Sequence, residues 1–196
     1  MKKWLCSIAG LALAGSLAAQ AQTPAVPPSN ILQIQTDNIK PYEDGPYDRF
    51  ASESAALSKQ LKDPTHVLGM EALTGSPRAI YLSGFDSFEA LQKNEEWLLG
   101  DAATDAKFDA LDAHVAPHVS EIHYTVWHYR PDLSNNVDGA DIPHSHYYGV
   151  IIFHMRPGHL GQFEESTKLY RDANLKIGQN TPWASALGKS DPVVFS

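Results

Sequence analysis

Residues 31–130 alternate between two hydrophobic periods, and the order of that alternation limits the fold more than any other feature. A period of two marks a half-buried strand, and a period near 3.6 an amphipathic helix. ILQIQT (31–36) alternates from Leu32 onward and predicts a strand. Pro41, Gly45 and Pro46 predict a loop over 37–47. Phe50, Leu57 and Leu61 share one face of a helix over 47–61, which Asp63-Pro64 ends. Two strands, 65–73 and 78–85, flank a turn at Thr74-Gly75-Ser76-Pro77. Asp86-Ser87-Phe88-Glu89 reads as a capping box, with Asp86 as N-cap. It opens a helix to about Leu98, with Phe88, Leu91 and Leu98 inward. A further helix over 104–116 ends at Pro117, and 120–129 is rich in the aromatic and β-branched residues of a strand.

The order is β-α-β-β-α-(α)-β, the split βαβ or ferredoxin-like arrangement of an antiparallel sheet. Its helices cover one face, and the other face needs a cover. Residues 131–145 form a polar linker, and 147–155, YYGVIIFHM, predict another strand. Arg156-Pro157-Gly158 turns into a helix over 160–177, with Leu160, Phe163, Thr167, Tyr170 and Ile177 inward. Gly45 precedes Phe50 by five residues, and Gly158 precedes Phe163 by five. The strand-turn-helix unit therefore reads as a repeat. The second copy, 146–196, runs short: after its helix there is room only for a small hairpin over 183–195. The expected fold class is α+β, a ferredoxin-like domain over 31–130 followed by a partial second repeat that makes an incomplete barrel. Apolar sheet exposed by such a barrel points to a homodimer.

Composition bounds the setting. Met1-Lys2-Lys3, the apolar run to Gly15 and Ala19-Gln20-Ala21 match a secretory signal cleaved after Ala21. The run is shorter than the ~20 apolar residues of a membrane span. The expectation is a periplasmic or secreted protein with no membrane span after cleavage, preceded by a proline-rich leader over 22–30. Cys6 is the one cysteine, so the mature chain has no disulfide to lean on. The net charge of −8 argues against a nucleic-acid partner, which wants a basic face.

On the βαββαβ order, the extra helix before the last strand and the repeat beginning at Tyr147, the chain resembles the dimeric α+β barrel superfamily. That group includes antibiotic-biosynthesis-monooxygenase-like and NIPSNAP-like domains. The resemblance implies two ferredoxin-like units, from two chains or from tandem copies, closing their open sheet faces into a barrel. It covers residues 31 to about 177. It spans oxygenases, haem proteins, isomerases and members of no known activity, so it does not select a reaction.

Six of the nine histidines fall between His123 and His159. Histidine is the usual near-neutral acid or base and a common metal ligand. Strand alternation separates most of them. His123, Thr125, Trp127 and Tyr129 share one face, and His128 lies on the other. His146 and His154 are about 26 Å apart in extended chain. His144 and His146 remain as a local H-x-H pair that suits one metal ion, with His123, His128, Asp138 or Asp141 as a third ligand. Without a metal, His123 is the candidate base, and Trp127 and Tyr129 are candidate ligand-binding residues. A haem on His128 or His154 is the remaining option; the pattern fixes no cofactor, and a metal ion ranks ahead of a haem. Two readings follow. One is an exported small-molecule enzyme, oxygenase- or isomerase-like. The other is a non-catalytic ligand-binding or structural envelope protein of the same fold.

Overall fold

The computed structural model describes residues 29–140 and 145–188. The expected signal, Cys6, Asp141, His144 and most of the expected terminal hairpin lie outside them. Four long strands form in the expected order: β1 (Ile31–Ile39), β2 (Val67–Glu71), β3 (Arg78–Phe85) and β4 (Val119–Tyr129). Helix α1 (Asp44–Leu61) joins β1 to β2. Helices α2 (Phe88–Leu99) and α3 (Ala102–Val115) join β3 to β4. Helix α4 (Leu160–Lys176) and a short strand β5 (Ala186–Gly188) follow. The sheet order is β2-β3-β1-β4-β5, and every described pairing is antiparallel. In its first four strands this is the ferredoxin-like fold.

Boundaries moved where a local rule was outweighed. Helix α1 starts at Asp44 and takes Gly45 and Pro46 into its first turn. Proline is tolerated there because the first N–H groups have no intrahelical acceptor. Its C-cap Lys62 adopts a left-handed backbone (φ 57°). In α2 the N-cap is Ser87, not Asp86, and its hydroxyl accepts from the Ala90 amide at 3.2 Å. That one-residue shift leaves Phe88 exposed beside the His128 ring instead of inward. Asp101 caps α3 through the amides of Ala103 and Thr104. Strand β1 runs three residues past its expected end and carries Asp37 and Asn38 into the sheet.

The larger departure lies in the second half. Residues 147–155 have strand composition, but among the described residues 149–155 make no strand pairing. A strand needs a neighbour, and the described strands offer none to 149–155. Part of the expected terminal hairpin joins the first sheet, where β5 pairs with the end of β4 from Trp127 to Tyr129. Gly188 fits against the Trp127 ring: a Cβ there would lie 2.5 Å from it. Helix α4 docks through charge at the same end of the sheet. Arg130 bonds both Asp132 (2.8 Å) and Glu164 (2.5 Å), and Arg171 donates to the Asp132 carbonyl. Below this network Leu133, Ser134 and Asn135 are buried, and the Trp183 indole donates to the Leu133 carbonyl at 3.0 Å. On the outer part of α4 Leu169 and Ile177 are exposed, and Tyr170, also exposed, meets the Trp183 ring at 5.9 Å.

Candidate functional site

The side chains of β1 are arranged against the usual rule. The face turned to the helices carries Gln33, Gln35 and Asp37 between Ile31 and Ile39. Leu32, Ile34 and Thr36 point to the face without helices. The helix side is fixed by contacts: Tyr47 of α1 reaches Asp37 and Tyr81, and Phe88 of α2 meets His128. One apolar cluster lies at one end of the sheet around Ile39, Tyr47, Ala79 and Val115, with Phe50 and Tyr81 packed against it, and Ile31 and Phe85 are buried at the other end. The middle of that face is polar and forms the floor of a wide cleft.

At the boundary between core and cleft sits a hydrogen-bonded chain. Asp37 is buried, and its carboxylate accepts from Tyr47 Oη at 2.5 Å and from Gln35 Nε2 at 2.8 Å. Tyr47 is fully buried, and its hydroxyl lies 2.9 Å from that of Tyr81. A phenol has one proton. Since Tyr47 gives its proton to Asp37, Tyr81 must be the donor to Tyr47. Tyr81 therefore presents only oxygen lone pairs to the cleft, which it lines with Gln33, Gln35 and Tyr124. The opposite wall comes from α1 and from 145–152, and the cleft takes in residues from both faces of β2. Its volume is about 1710 Å³, wide open at the mouth.

Burial raises the pKa of Tyr47 far above the usual phenol range, with its bonds to Asp37 and Tyr81 adding to the effect. Burial likewise raises Tyr81. Both are neutral phenols at physiological pH. A raised acid favours the protonated form in the fold, so the stabilisation is complete below the unfolded phenol value of about 10 and is lost as pH rises beyond it. We expect unfolding free energy to fall above about pH 10, by about 1.4 kcal/mol per pH unit for Tyr47 alone. Denaturant midpoints measured from pH 8 upward check this; Tyr47→Phe removes that part of the slope.

The residues expected to carry chemistry lie elsewhere. His123 opposes Thr36 on the face without helices, and its Nε2 lies 3.0 Å from Glu121 in a half-exposed pair. Trp127 shares that face roughly 13 Å further along the strand, and its indole donates to Thr125 at 2.8 Å. Tyr129 follows at the edge with β5. His128 is on the helix face against Phe88, and His118 is tied to Glu43 at 2.9 Å. His146 is exposed and His144 lies outside the described residues, so the H-x-H pair is not described as a pair. Among the described residues no three His, Cys, Asp or Glu side chains are grouped to hold a metal ion. The loop expected over 37–47 leaves Asp37 outside any strand, and no sequence motif points to the hydrogen-bonded set of Asp37, Tyr47 and Tyr81. The signal was in the strand: Gln33, Gln35 and Asp37 form a polar stripe with a period of two, on the face that the helices cover.

The strand order and the cleft between sheet and helix define a ferredoxin-like α+β domain. No family model and no curated protein matches the chain. Among solved structures, it is similar to an uncharacterized NIPSNAP domain protein from Burkholderia xenovorans, at 11% identity and TM-score 0.40, over 49% of this chain and 90% of that one. A NIPSNAP family protein from Agrobacterium tumefaciens matches at 13% identity and TM-score 0.42, over 52% and 86%. A dimeric ferredoxin-like protein from an uncultured marine organism matches at 16% identity and TM-score 0.38, over 53% and 88%. At these values the likeness says nothing of activity.

Proposed function

We propose that the chain is an exported protein that binds a small hydroxyl-bearing molecule, a phenol or an enol, in the cleft between sheet and α1, and that Asp37 draws a proton from it. The observation that carries this reading is the chain from Tyr81 through Tyr47 to Asp37. It is open to the cleft at one end and buried at the other. The ligand hydroxyl donates to Tyr81 Oη. Its proton passes to Tyr81 as the Tyr81 proton moves to Tyr47 and the Tyr47 proton to Asp37 Oδ2. The negative charge leaves Asp37 and appears on the ligand oxygen, so charge and protons balance. An enolate or phenolate is the species that oxygenase- and isomerase-like reactions begin from, which is acid/base work without histidine. Export rests on the N-terminal sequence alone.

The test is binding of a panel of small phenols and enols, followed by ligand absorbance. Wild type should bind at least one with a red-shifted, phenolate-like spectrum. Tyr81→Phe should bind it at least tenfold more weakly, as expected for a lost hydrogen bond of about 1.4 kcal/mol. Saturable binding without the spectral shift would leave a ligand-binding protein and remove the proton relay. No binding, or equal binding by Tyr81→Phe at unchanged melting temperature, would remove the site.

A further inference from the structure

We infer that residues 147–155 are an interaction strand whose partner is the same segment of a second copy, paired antiparallel about Ile151. Among the described residues, Gly149 to Met155 make no backbone ladder. Yet Tyr147 is 79% exposed, Ile151 75% and Phe153 61%. A run of nine residues without a single Asp, Glu, Lys or Arg, in a chain of net charge −8, is the opposite of how a solvent-facing edge is protected. Fully buried aromatics hide ~150–250 Å² each. The seven large apolar side chains here can therefore approach the roughly 800 Å² per partner of a standard interface.

The occupant follows from self-complementarity. A two-fold interface must match a surface to itself. With Ile151 opposite Ile151 of the second copy, Val150 meets Ile152, Gly149 meets Phe153, Tyr148 meets His154 and Tyr147 meets Met155. Every pair is compatible, and no like charges oppose. Gly149 has open space where a Cβ would stand, and the Phe153 ring, which meets Phe163 of its own α4 at 5.5 Å, keeps most of its surface exposed, so the Phe153 ring of the second copy can lie over that glycine. The other free edge of comparable length, β2, is a poorer template: it is five residues long and carries Gly69 and Glu71. The same segment walls the cleft at 145–152, so pairing fixes a wall of the site.

The full chain with Cys6→Ser gives a cysteine-free background for the test. Single cysteines are placed at Ile151 and at Val150, and each is air-oxidised. Antiparallel pairing about Ile151 predicts a covalent dimer from Ile151→Cys at least five times faster than from Val150→Cys, whose partner position is 152. In analytical ultracentrifugation wild type sediments as a dimer, and Ile151→Lys, which sets two lysines face to face, as a monomer with unchanged far-ultraviolet circular dichroism. Equal cross-linking at both positions would mean parallel pairing and overturn the register. A monomeric wild type, an Ile151→Lys dimer, or a concentration-dependent ladder of larger species from β2 capture would overturn the inference itself.

Discussion

Tyr47→Ala should lower the unfolding free energy by about 3–5 kcal/mol, the usual cost of emptying a buried aromatic site. Tyr47 is fully buried at the joint between α1 and the sheet, its ring 5.7 Å from that of Phe50 and its hydroxyl on Asp37. Two costs add in this variant. The ring volume is lost from the only core cluster formed by Ile39, Ala79 and Val115 among the described residues. Asp37 also loses a donor while remaining buried. Tyr47→Phe isolates the second cost, expected at about 1–3 kcal/mol for a buried acceptor left short. Urea denaturation of both variants separates packing from hydrogen bonding. If Tyr47→Phe matches wild type, the bond to Asp37 contributes nothing, and the relay has no anchor.

Leu133→Ala should cost about 2–5 kcal/mol, and its effect should be local in origin. Leu133 is 1% exposed at the junction where Trp183, β5 and α4 meet the first unit. The charged groups above it, Arg130, Asp132 and Glu164, are partly exposed, and pairs of that kind contribute little each. The apolar plug is therefore the larger part of the attachment. The Ser185 amide also bonds the Ser134 hydroxyl, and Trp183 bridges Asn135 through the backbone. Loosening the plug releases all of these together. Limited proteolysis should then cut after Tyr129 well before the first unit is digested, and Trp183 fluorescence should shift red. A uniform loss of stability with no early cut would show the two parts to be one cooperative unit.

The four-stranded unit was legible because its signals are local. Alternation in 78–85, Pro117 after α3 and the aromatic run of β4 each act within one turn or strand, and each gave an element close to the observed one. Strand β1 was cut short because Asp and Asn are poor strand formers. Its last residues are held instead by long-range partners: Asn38 by β3 and β4 in the ladder, and Asp37 by Tyr47. No local rule contains those partners. The same holds for 147–155. Composition identifies a strand, but a strand exists only with a neighbour, and neighbours are a property of the whole assembly. The histidines are numerous but scattered over the fold. Alternation already separated His123 from His128, and the residues with a shared hydrogen-bond chain are two tyrosines and an aspartate far apart in sequence.

The late position of 147–155 has a consequence for how the protein is made. During synthesis, β1 to β4 are complete once Tyr129 has emerged, and among the described residues only three-residue β5 is still to join the sheet. The first unit can collapse as a first-order event within one chain, ahead of the apolar segment. That segment then meets another chain in a second-order step, whose rate scales with how much protein has accumulated. Folding and assembly are thus separated in time, and the first unit is already shaped before this apolar segment arrives.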